Sequence, residues 1–179
     1  SEVCIQIFEM HPGEQITALR RGEIDLALPG AASRKVKEDF FTQSLRTTPL
    51  AMVVSTDHTL ANRKTVDLAD FAHDPFLSLN EERFPGREAM HQRLFKLAEI
   101  NPKVGIHASG LNEILGLVGS GAGVALVPTD LNRMQSSGVK FLKLRRPTMT
   151  FNFSAVWPDS DHRPTIESFV KVLASIEQA

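Results

Sequence analysis

Apolar positions in this chain fall in short runs, and their spacing changes wherever glycine or proline is crossed. Two stretches show it most clearly: Leu19–Leu28 (LRRGEIDLAL) and Leu111–Pro128 (LNEILGLVGSGAGVALVP). Each reads as a helix, then glycine, then a buried strand that ends at proline or a loop. One such unit in each half of the chain predicts two lobes of similar construction with a binding cleft between them.

The same reading extends along the chain. Val3–Phe8 predicts a strand, with the single cysteine, Cys4, packed in or beside the core. His11-Pro12-Gly13 predicts a turn, Glu14–Arg21 a short helix stopped by Gly22, and Ile24–Leu28 a buried strand closed by Pro29-Gly30. The continuous run PLAMVVS at Pro49–Ser55 predicts a central strand. After a turn at Asp57-His58 come a helical turn at Asp67–Ala72, a strand at Phe76–Leu79, and a helix over Glu88–Ile100 with Ala89, Leu94, Leu97 and Ala98 on one face. Alternation at Val104, Ile106 and Ala108 predicts a strand. Ser109 is positioned to cap the helix that carries Ile114, Leu115, Leu117 and Val118. Val124–Val127, Val139–Leu144 and Thr150–Trp157 predict strands, and Thr165–Ile176 a closing helix. Strands alternating with helices predict an α/β fold with largely parallel pairing. The chain is expected to cross between lobes near Val54–Thr56 and at Arg145-Arg146-Pro147.

Composition narrows the function classes. The 179 residues suit one domain or two small lobes, and 42% apolar content is enough for a core. Twenty Lys and Arg against 21 Asp and Glu give a net charge of −1, without the basic excess of a protein gripping a duplex. One cysteine excludes an internal disulfide. The start lacks the basic-then-apolar order of a secretory signal, and no apolar run approaches the roughly 20 residues that span a bilayer. A cytoplasmic protein without membrane association is expected, although a mature exported protein would look the same.

The candidate chemistry is that of binding. Gly119-Ser120-Gly121-Ala122-Gly123 follows a helix and precedes a strand, the reverse of a phosphate-binding loop, so it reads as a helix end and tight turn. His11, His58, His73, His91, His107 and His162 show no paired spacing for zinc, and no metal or cofactor is expected. Glu81-Glu82 reads as a solvated pair. No nucleophile elbow or triad assembles, so the chain is not expected to be an enzyme. Three loops are candidates for holding a small molecule. Pro29-Gly30-Ala31 lies past the C-terminal edge of a strand, where open α/β sheets bind ligands. Phe84-Pro85-Gly86-Arg87 leads into a helix whose free amides, with the Arg87 guanidinium, would favour a carboxylate or phosphate. Ser109–Asn112 offers a hydroxyl and a side-chain amide at a helix start. The alternative for each is ordinary loop and capping duty.

The order of these motifs resembles the effector-binding region of LysR-type transcriptional regulators. Leu19, Gly22, Ile24, Asp25, Leu26, Ala27 and Leu28 match that family's Leu-x-x-Gly-x-Leu/Ile-Asp-Leu-Ala-Ile pattern. Pro49–Val54 matches its Pro-Leu-x-x-Val-Val strand, and His58-Thr59-Leu60-Ala61 its His-Pro-Leu-Ala turn, with threonine for proline. Val66–Ala72, Pro75–Leu79 and Gly121–Pro128 follow in the family's order, so the resemblance covers nearly the whole chain.

The resemblance implies two α/β lobes of periplasmic-binding-protein type joined by two crossover strands. Lobe one would be residues 1–54 plus 151–179, and lobe two 55–150. A small-molecule effector, with organic anions among the candidates, would sit between them. The family's contacts fall on the three loops, implicating Pro29, Gly30, Ala31, Pro85, Gly86, Arg87, Ser109 and Asn112, with Pro128 at the end of the Gly121–Pro128 motif. Gly30 and Pro85 lack the hydroxyls that relatives often carry nearby. The family's helix-turn-helix is absent from this sequence, so DNA would be read only through an N-terminal domain outside it. Ser1 falls where the family's second strand starts. The first strand and helix of lobe one are therefore expected to be missing, with unpaired edges and a reduced core. A homodimer or tetramer is expected of a full-length regulator. Two other readings share the architecture: a solute-binding protein of a transporter, and a small-acid dehydratase.

Overall fold

The computed structural model describes residues 3–134, 136–158 and 164–176. His162 lies outside them.

The fold is organised by one long strand. β2 (Phe40–Ser55) is 16 residues long and belongs to two sheets. Its first part, Phe40–Pro49, pairs antiparallel with β8 (Thr150–Pro158), and β8 pairs on its other side with β1 (Ala27–Gly30). From Leu50 onward β2 lies between β6 (Val124–Pro128) and β7 (Val139–Arg146), antiparallel to both. β3 (Thr65–Asp67) extends that sheet beyond β7, while β4 (Phe76–Leu79) and β5 (Val104–Ala108) extend it beyond β6. Two lobes therefore share β2, and β7–β8 makes the return crossing through Pro147 as expected.

Two corrections follow. β2 exchanges partners between Pro49 and Leu50, ahead of the expected crossing at Val54–Thr56. Largely parallel pairing is also overturned: every pair made by β2 or β8 is antiparallel, and only β3/β7, β4/β5 and β4/β6 are parallel. A strand that carries the chain between lobes and returns beside itself pairs antiparallel.

Most of the core lies in lobe two. Alternate side chains of its sheet face opposite ways, as the strand period of two requires. Met52, Val54, Phe71, Phe76, Leu126 and Leu142 pack under α3 (Arg87–Leu97), which contributes Leu94 and Phe95. Val53, Leu77, Leu79, Ala125 and Val127 pack under α4 (Leu111–Gly119), which contributes Ile114, Leu115 and Val118. Lobe one carries a smaller cluster, Leu19, Ala27, Val36 and Val156, between α1 (Pro12–Arg21), α2 (Arg34–Asp39) and its sheet. α5 (Pro164–Ile176) adds Val170.

Two other expectations in lobe one are corrected. Val3–Phe8 forms no strand: Val3, Ile5, Ile7 and Phe8 are exposed, and so is Cys4. β-branched residues favour a strand only where a neighbour completes its hydrogen bonds. Among the described residues β1 has a partner on one side alone, and the segment does not reach it. Ile24–Leu28 is not a buried strand either, since β1 starts at Ala27 and Leu28 is half exposed.

Candidate functional site

The lobes meet over a recess beside the β2–β8 crossing. Lobe one supplies Pro12 and Ile16 from α1, and Pro29, Ala31, Ala32, Ser33 and Val36 from the segment between β1 and α2. Lobe two supplies Phe84, Pro85 and Arg87; Phe151 of β8 completes the wall. The recess is shallow, with a cavity volume of about 50 Å³. The wall is apolar except for Ser33 and Arg87, and the Ser33 hydroxyl already accepts the Val36 amide at 3.3 Å as the cap of α2.

Among the described residues Arg87 is therefore the one charged side chain lining this surface. It opens α3, is only 8% exposed, and holds its guanidinium carbon 4.9 Å from the centre of the Phe151 ring. No carboxylate or carbonyl among the described residues bonds its side chain. Burial pushes the guanidinium down to about 10, against a smaller upward pull from Glu81, so it stays charged at neutral pH. A buried cation with no anion bonded to it is costly, and such groups concentrate at binding sites. Gly30 sits behind the same ring. Its φ is +82°, and a Cβ there would lie 3.0 Å from Phe151 Cε1 and Cζ. Gly30 and Arg87 both approach the Phe151 ring closely, and glycine is the residue that permits it at Gly30.

The amides at the start of α3 are not free. The Glu81 carboxylate accepts Gly86 N–H at 2.5 Å and Glu88 N–H at 2.9 Å. This corrects the expectation that those amides await a ligand: the protein's own carboxylate fills the anion position at the helix terminus.

A clasp closes the mouth. The Gly13 amide donates to the Arg83 carbonyl at 3.0 Å, joining α1 to the loop before α3. Arg83 Nη1 donates to His11 Nε2 at 2.7 Å and to the Ser109 carbonyl at 3.4 Å, and the His11 ring lies 5.5 Å from that of Phe84. A Cβ at Gly13 would fall far inside contact distance of the Glu82 carbonyl oxygen. On the crossing side, Thr48 and Thr129 hydroxyls bond at 2.8 Å and Arg46 pairs with Asp130.

Of the residues singled out from sequence, Pro29, Ala31, Pro85 and Arg87 line the recess, Gly30 backs it, and Gly86 is the N-cap of α3. Ser109, Asn112 and Pro128 do not line it. Ser109 touches the clasp through its carbonyl, Asn112 is exposed in the first turn of α4, and Pro128 is buried at the end of β6. Gly110 is the N-cap of α4 and no side chain caps it, so the expected Ser109 cap is corrected; the Ser109 amide donates instead to Glu113 at 2.7 Å. Pro12, Ile16, Ala32, Ser33, Val36 and Phe151 also line the recess and were not singled out, and Phe84 was named only as part of its candidate loop. Only Phe84, beside Pro85 in a candidate loop, carried a signal.

A second recess of about 290 Å³ lies at the far end of lobe two, among Asp57, His58, Asp74 and the Gly119–Gly123 turn. His58 Nδ1 accepts the Leu60 amide at 3.2 Å, which leaves Nε2 to donate to Asp74 at 3.2 Å. Its histidine and Asp74 are engaged with each other, unlike Arg87. Among the described residues no group of three or more His, Cys, Asp or Glu could hold a metal, and no helix is long and apolar enough to cross a membrane.

Two lobes sharing a crossing strand, closed over an apolar recess with one buried cation, define a ligand-binding module. The model of the family described as LysR substrate binding domain matches residues 1–176, and this chain belongs to that family. It is 26% identical over 157 residues to the uncharacterized HTH-type transcriptional regulator YnfL of Escherichia coli K12, covering 88% of this chain and 52% of that protein. The chain spans about half the length of the curated relatives it matches, which are transcriptional regulators. Its fold is similar to the effector-binding domain of QuiR in complex with shikimate (TM-score 0.75, 21% identity, 90% of this chain and 75% of that one). It is likewise similar to the BenM effector-binding domain with its effector benzoate (TM-score 0.76, 20% identity, 94% and 76%).

Proposed function

We propose that this chain is the effector-sensing part of a LysR-type transcriptional regulator. A small organic anion binds between the two lobes, which meet on β2 at Pro49–Leu50 and on the return at Pro147. The carrying observation is Arg87: a charged guanidinium, buried in an apolar interlobe wall, with no anion among the described residues bonded to it. An effector carboxylate supplies that anion, and the Phe151 ring packs along its apolar part. Pro29, Gly30, Ala31, Pro85, Gly86 and Arg87 act at this site directly or through the residues they hold. Ser109 acts through Arg83, and Asn112 and Pro128 stand further off. The QuiR domain is in complex with shikimate and the BenM domain with its effector benzoate, both carboxylates, which supports this reading.

The His11–Arg83 clasp gives binding its consequence. A ligand touching both walls favours the closed arrangement over an open one by its difference in affinity for the two. In the whole regulator, a homodimer or tetramer, that bias reaches DNA through a separate helix-turn-helix domain. The solute-binding and dehydratase readings are not favoured, because the relatives are regulators and the recess holds no second polar group for acid–base work. Calorimetry of the chain with benzoate, shikimate and related organic acids tests the proposal. Saturable binding to one or more acids, lost in Arg87→Met, is expected; no binding to any at millimolar concentration contradicts it.

A further inference from the structure

From the Glu81 contacts we infer that the recess selects singly charged acids with an apolar body, and that Glu81 is the residue that rejects a second negative group. The inference rests on the anion-binding reading above and refines it. Three observations carry it.

First, one cation faces the recess. Arg83, the nearest other guanidinium along the chain, is turned to His11 and the Ser109 carbonyl and does not line the wall. Second, the other natural anion receptor at this place, the start of α3, is filled: Glu81 holds the amides of Gly86 and Glu88, leaving those two donors unavailable to a second carboxylate. Third, the Glu81 carboxylate lies close enough to Arg87 to pull on its guanidinium electrostatically. One incoming carboxylate neutralises the guanidinium. A second would meet the apolar wall of Ile16, Val36, Phe84 and Phe151, with the Glu81 carboxylate at the start of α3 repelling it from behind the Arg87 end. Inorganic phosphate, doubly charged in part near neutral pH and without apolar surface, is disfavoured on both counts.

Matched acids test this on the chain by calorimetry near neutral pH: benzoate against phthalate, phenylacetate against homophthalate, and inorganic phosphate alone. The wild-type chain is expected to bind each monoacid about tenfold or more tightly than its diacid partner, the scale of one like-charge repulsion in a partly buried site. Glu81→Gln is expected to close most of that gap by strengthening diacid binding, while Arg87→Met loses monoacid binding. The wild-type comparison needs no variant to fold, and far-UV circular dichroism checks the variants. Diacid or phosphate binding as tight as monoacid binding in the wild type overturns the inference and leaves the anion site standing. An unchanged gap in folded Glu81→Gln overturns the role of Glu81. Binding of no acid of either class removes the anion-site reading itself.

Discussion

Replacing Arg87 by methionine is expected to make the protein more stable while abolishing anion binding. Burial holds the Arg87 guanidinium at about 10 against an ordinary 12.5, a cost to its charged form. At about 1.4 kcal/mol per pKa unit, that cost is about 3 kcal/mol. The residue is 8% exposed, so little solvent screening reduces it. Methionine keeps most of the aliphatic stem but loses the cation over the Phe151 ring, worth about 1–2 kcal/mol in a desolvated setting. The balance is a gain of about 1–2 kcal/mol, the sign seen when buried charges are exchanged for apolar side chains. For a chain of this size it corresponds to a rise in Tm of about 3–6 °C. Urea unfolding monitored by circular dichroism reads the stability, and calorimetry with benzoate reads the function. A loss of more than about 1 kcal/mol would show that Arg87 is held by bonds other than those described here. Benzoate affinity unchanged from wild type would show that the guanidinium is not the anion receptor.

Gly13→Ala places a Cβ against the Glu82 carbonyl oxygen, so the lobes should separate at the clasp; small-angle scattering should show a larger radius of gyration, and benzoate should bind more weakly. Gly30→Ala forces a side chain at φ +82° into the Phe151 ring and should cost about 1–3 kcal/mol in urea unfolding. His91 is pushed down to about 4, first by burial and then by the charges of Arg87 and His107, with Glu81 opposing. The unfolded chain takes up this proton near pH 6.5 and the folded chain only near 4, so the contribution is full above pH 6.5. It is lost as pH falls through that window, by about 3 kcal/mol in all. His91→Leu should flatten the slope, and an equal slope in the variant would assign it to other groups.

Lobe two was legible from sequence because each of its elements meets its partner. Phe76–Leu79 and Val124–Val127 are buried on both faces and read as continuous apolar runs. Lobe one was legible in part. Val3–Phe8 has the composition of a strand but no neighbour to pair with, and composition does not report a neighbour. The first part of β2 was missed because Phe40–Thr48 mixes exposed and half-buried positions, shifts register between Ser44 and Arg46, and runs into Pro49, which looks like a boundary. At the site, Arg87 was found from its place at a helix start, yet its reason was incomplete. The amides expected to help it belong to Glu81, and the contact that defines it is with Phe151 across the fold. Short-range pattern shows which loops stand at strand and helix ends; it does not show which backbone donors another side chain has already taken.

A high-resolution structure of the chain with benzoate tests the central claim most directly. The account predicts the carboxylate within hydrogen-bonding distance of the Arg87 guanidinium, the ring against Phe151, and Glu81 still on the amides of Gly86 and Glu88. Benzoate bound instead beside His58 and Asp74, or on the outer surface of either lobe with Arg87 untouched, contradicts it.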